Sequence, residues 1–475
     1  MSDPRARLKL PALTALVVGS MIGGGIFSLP QNMAASAGPG AILIGWAITA
    51  VGMLMLARVF QSLSLRKPAL DSGVYAYAKA GFGNYMGFSS AWGYWISAWL
   101  GNVSYFVLLF STLGFFFPAF GEGNTPLAVG CASVLLWGAH LLVLRGIKEA
   151  AFINQITTVA KVLPLILFIV ITAAAFRMDV FTADFWGRAS GNLGSVMDQV
   201  RNMMLVTVWV FIGIEGASVC SARAERRSDV GRATVMGFIG VLALLVLVNV
   251  LSLGIVPREQ LGQLRNPSMA PVLEHVVGHW GALLISIGLI VSLAGALLSW
   301  TLLCAEILHV AAKDRTMPAF LGKENARQVP SSALWLTNGL VQLFLVVTLF
   351  SNSTYLSLLL LATSMILIPY FWSAAYGLQL AWSGDTYDGQ GPQRRQDLIV
   401  SAVAVIYACW LIYAGGLQYV LLSSLLYAPG AVFYAIARRE RGARVFTRLE
   451  AAVFGVVLIG ALAAAYGLAT GQLHL

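Results

Sequence analysis

Charge is what this chain lacks: of its 475 residues only 11% are charged, while 58% are hydrophobic and the mean hydropathy is +0.79. A soluble domain carries about 25% charged residues. A chain so poor in charge cannot cover its surface against water, so a freely soluble protein is excluded and lipid becomes the expected solvent. Long polar loops are absent as well, which leaves one transmembrane domain over 1–475. Cysteine is scarce. The four residues Cys131, Cys220, Cys304 and Cys409 lie far apart inside apolar stretches, match no metal or disulfide spacing, and read as small packing residues. No phosphate-binding loop, nucleophile motif or zinc signature is present, so neither an enzyme nor a resident cofactor or metal is expected. The apolar runs also lack the alternation of an outer-membrane barrel. At the N-terminus no small-residue cleavage site closes the first apolar stretch, so the first helix is expected to be retained.

Apolar stretches are abundant. They fall near 11–36, 39–65, 84–115, 125–145, 149–176, 202–222, 231–256, 280–312, 332–351, 353–382, 397–415, 417–437 and 450–470, which makes thirteen candidate helices at roughly 20 residues per span. Lys and Arg orient them. With the N-terminus in the cytoplasm and alternating loops, 23 of the 30 basic residues fall in cytoplasmic segments and 5 outside, with Arg58 and Lys161 inside spans. The net charge of +10 is therefore a topology signal, and no nucleic-acid partner is needed to account for it. The odd helix count places the C-terminus in the periplasm.

Two spans look broken. The first carries GSMIGGGIF (Gly19 to Phe27) and the sixth FIGIEGAS (Phe211 to Ser218). Glycine costs a helix interior about 1 kcal/mol relative to alanine, and unwound backbone at mid-bilayer needs a cavity or ligand to satisfy it. Close helix packing also uses glycine. Two matched clusters, in equivalent positions if spans 1–5 (11–176) and 6–10 (202–382) are repeats, point instead to a transporter substrate site. Spans in 397–470 would then be accessory.

Ionisable groups inside spans are costly and functional by default. Glu215, within the sixth-span break, is a candidate to bind a substrate amine or carry a proton; a structural hydrogen bond to a helix end is the alternative. Lys161, mid-way along the fifth span, would place a fixed cation beside the first break or simply join helices. Tyr94, Trp95, Trp99, Trp209, Phe211 and Trp300 lie at mid-span depth, where aromatic faces suit a cationic substrate or ordinary packing. Asn102 is a further buried polar candidate. Arg58 reads as snorkelling to the interface, Glu306 as pairing with a loop cation, and His140 as an interhelical hydrogen bond. His275 and His279 have ligand-like spacing without an acidic companion motif.

GSMIGGGIFSLP, DSGVYAYAKAGFG (Asp71 to Gly83), AWGYWISAWLGN (Ala91 to Asn102) and VWVFIGIEGAS (Val208 to Ser218), in that order, resemble the amino acid–polyamine–organocation superfamily. Within it the chain resembles the basic amino acid/polyamine antiporters, closest to the arginine–ornithine type, over nearly its whole length. The resemblance implies an all-α leucine-transporter (LeuT) fold of two inverted five-helix repeats with spans 1 and 6 unwound. It implies that the break from Met21 through Gly23, Gly24 and Gly25 binds the substrate α-carboxylate and α-amine. Tyr94, Ala98, Asn102 and Tyr105 would be third-span pocket positions, and Trp209 and Ile212 sixth-span ones. Trp209 would gate with Glu215. Trp300 would stack on the substrate side chain, Ser364 would contact it, and Lys161 would serve in coupling. Relatives carry a serine where this chain has Gly24, so carboxylate binding would rest more on backbone amides. The implied activity is exchange of basic amino acids, arginine for ornithine, in a bacterial inner membrane. Proton-coupled uptake of lysine or arginine, or exchange of an amino acid for an amine such as agmatine or cadaverine, are the alternatives; a channel would need no matched breaks. The partners expected are small-molecule amino acids and the bilayer, with a homodimer open.

Overall fold

The computed structural model describes residues 9–70, 73–145, 150–189, 191–215, 225–350 and 355–473, and all regular structure among them is helical. The first apolar run forms two helices, α1 (Leu10–Met21) and α2 (Gly25–Ala34), bent by 47° across the residues between them. Next come α3 (Pro39–Arg66), a short α4 (Val74–Phe82) and the long α5 (Asn84–Phe116). α3 opens on a proline, whose missing N–H costs nothing in a first turn. α6 (Pro126–Leu144) starts the same way and is capped by the Thr125 hydroxyl, which accepts from the Ala128 amide. α7 (Ala150–Ala174) and the one-turn α8 (Met178–Thr182) lead to α9 (Val196–Trp209), opened by a reciprocal capping box between Ser195 and Asp198.

The second half holds α10 (Arg227–Leu253), α11 (Arg258–Gln263), α12 (Met269–Val277), α13 (His279–Lys313), α14 (Ser331–Val347), α15 (Tyr355–Ser383), α16 (Gly391–Tyr427), α17 (Gly430–Arg439) and α18 (Arg448–Ala469). Stretches read as spans coincide with long helices to within a few residues, as for α3, α5, α13 and α18. The short α4, α8, α11 and α12 were not anticipated. Each is too brief to leave a long apolar run. The runs at 397–415 and 417–437 were expected as separate spans. Their helices are continuous in hydrogen bonding, but Gly416 between them sits at φ 76°, which breaks the helical path. An unbroken 37-residue helix would be about 55 Å long, against a hydrocarbon core of about 30 Å.

Among the described residues, eight helices are long and apolar enough to cross a bilayer, and the bent α1–α2 pair makes a ninth candidate. α14 and the described part of α7 beyond Lys161 are apolar but shorter. The chain is a multi-pass, all-helical membrane protein. α5 is its axis: 94% of its apolar window is buried, against 17% for α18 at the periphery. α5 packs on α13 and α15, α1 packs on α10 and α7, and α3 on α9, α10 and α16. Lipid gives no hydrophobic drive between helices, so buried hydrogen bonds and close packing must join them. Trp46 Nε1 donates to Asn249 Oδ1 at 3.0 Å, and Trp95 Nε1 to Thr337 Oγ1 at 2.9 Å. His140 Nδ1 lies 3.0 Å from Asn338 Nδ2, the interhelical bond expected of it.

Candidate functional site

The first break arises where glycine is obligatory. α1 ends at Met21, Ile22 turns to extended geometry at φ −77° and ψ 91°, and α2 resumes at Gly25. A Cβ on Gly23 would lie 2.1 Å from Tyr105 Oη, and one on Gly25 would lie 2.8 Å from the Trp209 indole. Backbone and aromatic rings thus meet with no side chain between them. The first turn of a helix leaves amides without intrahelical partners, so α2 presents such donors beside the rings of α5 and α9. On the other side of the break, Lys161 Nζ donates to Gly19 O at 2.6 Å, giving the fraying end of α1 a cationic partner.

A second break follows α9. Beyond Trp209 the chain passes through turns to Glu215, with amides of Phe211, Ile212 and Ile214 reaching only three residues back. Gly213 has φ +107°, a conformation that a residue with a Cβ rarely adopts. The rest of the motif, Gly216 to Ser218, lies outside the described residues. The two breaks touch: the Ser20 hydroxyl donates toward Gly213 O at 2.9 Å, and a Cβ on Gly213 would come within 2.9 Å of the Ser20 carbonyl carbon.

Glu215 is buried at the end of this segment. Tyr94 of α5 donates to its Oε1, and Tyr370 of α15 donates to Oε2 at 2.8 Å. One carboxyl group therefore joins the broken helix to two intact ones.

Between the breaks and α5 lies a narrow chamber of about 10 Å³, lined by Ser97, Ala98, Gly101, Tyr105, Trp209, Ile212 and Trp300. That is room for about one water. Tyr105 and Trp209 close it edge to face, with centroids 5.8 Å apart. Beyond them stands Tyr355, whose hydroxyl approaches Trp209 and Ser28 without reaching hydrogen-bond geometry. Tyr355 is also the floor of an outer cavity of about 230 Å³ that includes Gln31, Glu122 and Arg265. At the opposite, more basic end, Asp314 accepts from Lys79 and from Tyr75 at 2.6 Å, tying α4 to the loop after α13. Burial works to raise the Asp314 pKa, but the bonds from Lys79 and Tyr75 outweigh it and hold the carboxyl below its usual range.

Of the residues singled out from sequence, Ala98, Tyr105, Trp209, Ile212 and Trp300 line the chamber, and Gly23, Gly24 and Gly25 abut its aromatic walls or the α5 side chains beside them. Met21 is buried at the end of α1. Tyr94 bonds Glu215, and Lys161 bonds the first break. Asn102 sits on α5 with Nδ2 3.4 Å from Thr301 Oγ1 and with Oδ1 unpartnered. Ser364 is placed elsewhere: its hydroxyl is 2.8 Å from Ser423 Oγ, and it lines a separate cavity of about 260 Å³ between α15 and α16. Trp95 and Trp99 turn toward α14, where Trp99 packs on Phe344. Phe211 packs between Trp46 and Phe238. Glu306 is exposed and makes no ion pair among the described residues. His279 faces Glu274, and no cluster of metal-ligating side chains occurs among the described residues. Ser97, Gly101, Ser20 and Tyr370 were missed. Gly101 was within reach, because Tyr94, Ala98, Gly101 and Tyr105 follow the i, i+4, i+7, i+11 spacing of one helix face. Nothing local marks Tyr370, whose role depends on α15 meeting the second break.

Residues 8–437 match the family model described as amino acid permease. The chain is 70% identical over 475 residues to an arginine/ornithine antiporter of Pseudomonas aeruginosa, covering 99% of this chain and 98% of that one. The chain belongs to the amino acid permease family. Other members of the family similar to it include an L-lysine transport protein of Corynebacterium glutamicum, 46% identical over 98% of this chain and 96% of that one. An arginine/agmatine antiporter of Chlamydia caviae is 43% identical over 98% and 97%. In this permease the matched region contains both breaks, the chamber and Glu215, and stops before α18.

Proposed function

We propose that this permease exchanges arginine for ornithine across the bacterial inner membrane by alternating access. The observation that carries the reading is the contact of two broken helices, Ser20 Oγ on Gly213 O, beside a chamber walled by Trp209, Tyr105 and Trp300. Its near full-length similarity to a protein named arginine/ornithine antiporter supports the choice of substrates.

In this reading the fold is of the LeuT type with thirteen spans, α16 supplying two on either side of Gly416 and the broken α9 segment supplying the sixth. The basic face bearing Arg66, Lys79 and Lys313 is cytoplasmic, as are the N-terminus and the foot of α10; the C-terminus is periplasmic. The substrate α-carboxylate takes amides of the Gly23–Gly25 segment, because a helix start suits an anion. The α-amine takes backbone carbonyls of the same segment, next to Met21. The cationic side chain lies along Ala98 and Gly101 toward Trp300, where an aromatic face attracts it. Asn102 offers its unpartnered Oδ1 from the same helix.

Trp209 and Tyr105 form the outer gate. Glu215, bridging Tyr94 and Tyr370, links the second break to the scaffold, so substrate entry at the break is felt by α5 and α15. Lys161 occupies the position of a bound cation under the first break, which removes the need for a driving ion. Arginine and ornithine each carry about one net positive charge, so a one-for-one swap is electroneutral.

Purified protein in liposomes tests this. Uptake of labelled arginine should require internal ornithine or arginine. Equal uptake into empty liposomes under an imposed pH gradient would replace exchange by proton-coupled entry.

A further inference from the structure

Another cavity lies apart from the chamber. It is a cleft of about 880 Å³ on the basic face, where the ends of α3, α10 and α16 meet. Three arginines line it: Arg58 and Arg66 from α3 and Arg232 from α10. Its one acid, Asp397, is already occupied. Arg66 Nε lies 3.1 Å from Asp397 Oδ2, the Ser62 and Tyr387 hydroxyls each donate to that oxygen at 2.8 Å, and Gln393 donates to Oδ1 at 3.1 Å. Arg66 is spent in turn, stacking on the Tyr387 ring at 3.5 Å as well. Arg58 and Arg232 are exposed and have no hydrogen bond or ion pair among the described residues.

The position of Arg58 is what needs explaining. It lies eight residues before the end of α3, about 12 Å along the axis. It also belongs to the exposed stripe Ile44, Val51, Arg58, Leu65, spaced by seven residues, whose apolar members are 40–55% exposed. That stripe faces lipid. On α10, Arg232 is followed along the exposed face by Met236 and Ile239, 55% and 54% exposed. The cleft therefore has free cations and glutamine amides at its mouth and apolar walls below. An arginine without a partner beside hydrocarbon is costly. A group that is anionic at one end and apolar at the other satisfies both parts of the cleft.

We propose that this cleft binds an anionic phospholipid of the leaflet at the basic face. Arg58 and Arg232 hold its phosphate, Gln393 and Gln396 surround the headgroup, and its acyl chains lie along Val51, Met236 and Ile239. Because α10 follows the second break and α3 packs on α9, the lipid would bear on elements that flank the chamber without touching it.

Native mass spectrometry of the full chain, released from detergent with dioleoylphosphatidylglycerol or dioleoylphosphatidylcholine added at equal concentration, tests the site. The parent should retain phosphatidylglycerol in preference to phosphatidylcholine. Arg58→Gln with Arg232→Gln should lower that retention about tenfold, the scale of one or two arginine contacts with an anionic lipid. Arg58→Lys should keep it. Should the double variant not fold, Arg232→Gln alone and Gln396→Leu carry the same comparison. Retention of phosphatidylglycerol by the double variant at the parental level overturns the proposal. So does its displacement by inorganic phosphate at equal concentration, which would make the cleft a site for free phosphate.

Discussion

At the scale of single residues, the chamber wall and the buried carboxyl make separable demands. Trp300 on α13 is half-buried, packs against the core and lines the chamber, and in the proposed exchange its ring would meet the substrate cation. Trp300→Ala should weaken arginine binding by about 1–2 kcal/mol, five- to thirty-fold, read by calorimetric titration. Unchanged affinity would remove it from the site. Glu215→Gln keeps an acceptor for one tyrosine and loses the other, so the protein should fold while exchange slows at least about tenfold, a barrier change of 1.4 kcal/mol. Exchange at the parental rate would show that the bridge between Tyr94 and Tyr370 is scaffolding alone. Much of this was legible from type and depth: a glutamate and a lysine inside apolar runs are expensive enough to announce themselves. Ser364 shows the opposite case. Serine is small and common in membrane helices, and which neighbour it faces is decided by helix rotation, here toward Ser423.

Elements tell a similar story. The breaks were visible because glycines concentrate there, and their positions follow from contacts that a side chain would prevent. Gly213→Ala should destabilise the protein by about 1–3 kcal/mol, the cost of a strained backbone conformation, since its φ is +107° and Ser20 stands 2.9 Å from the new methyl. Gly130→Ala in α6, where a Cβ meets nothing within 4 Å, should be neutral or stabilising by up to about 1 kcal/mol. Thermal unfolding in one detergent compares them, and equal losses would mean that the second break is not built around Gly213. Short elements escaped the sequence because α4, α11 and α12 bury only part of their surface and never build an apolar run of membrane length. That Ser20 of the first break would meet Gly213 of the second was equally hidden, being a fact of tertiary packing across 193 positions.

For the whole molecule, in the proposed exchange cycle, closure at the two ends is unequal: the rings of Tyr105 and Trp209 meet at one, ions and hydroxyls around Asp314 at the other. The depressed Asp314 pKa gives the second closure a pH signature. A carboxyl whose pKa is lower folded than unfolded contributes stability that is present above its unfolded value, about 3.9, and is lost as pH falls through the folded one. The difference in melting temperature between the parent and Asp314→Asn should therefore be constant from neutral pH down to about 4 and shrink below it. A difference that already changes between pH 6 and 8 would assign the closure to another group.

The chamber of about 10 Å³ has a consequence for the cell that hosts it. A void that admits a single water supports no file of waters, and protons and alkali ions need such a file to cross. Through this chamber the form described here passes neither. Many copies can stand idle in an energised membrane without draining its potential, and that quiescence is set by two packed rings rather than by how many copies the membrane holds.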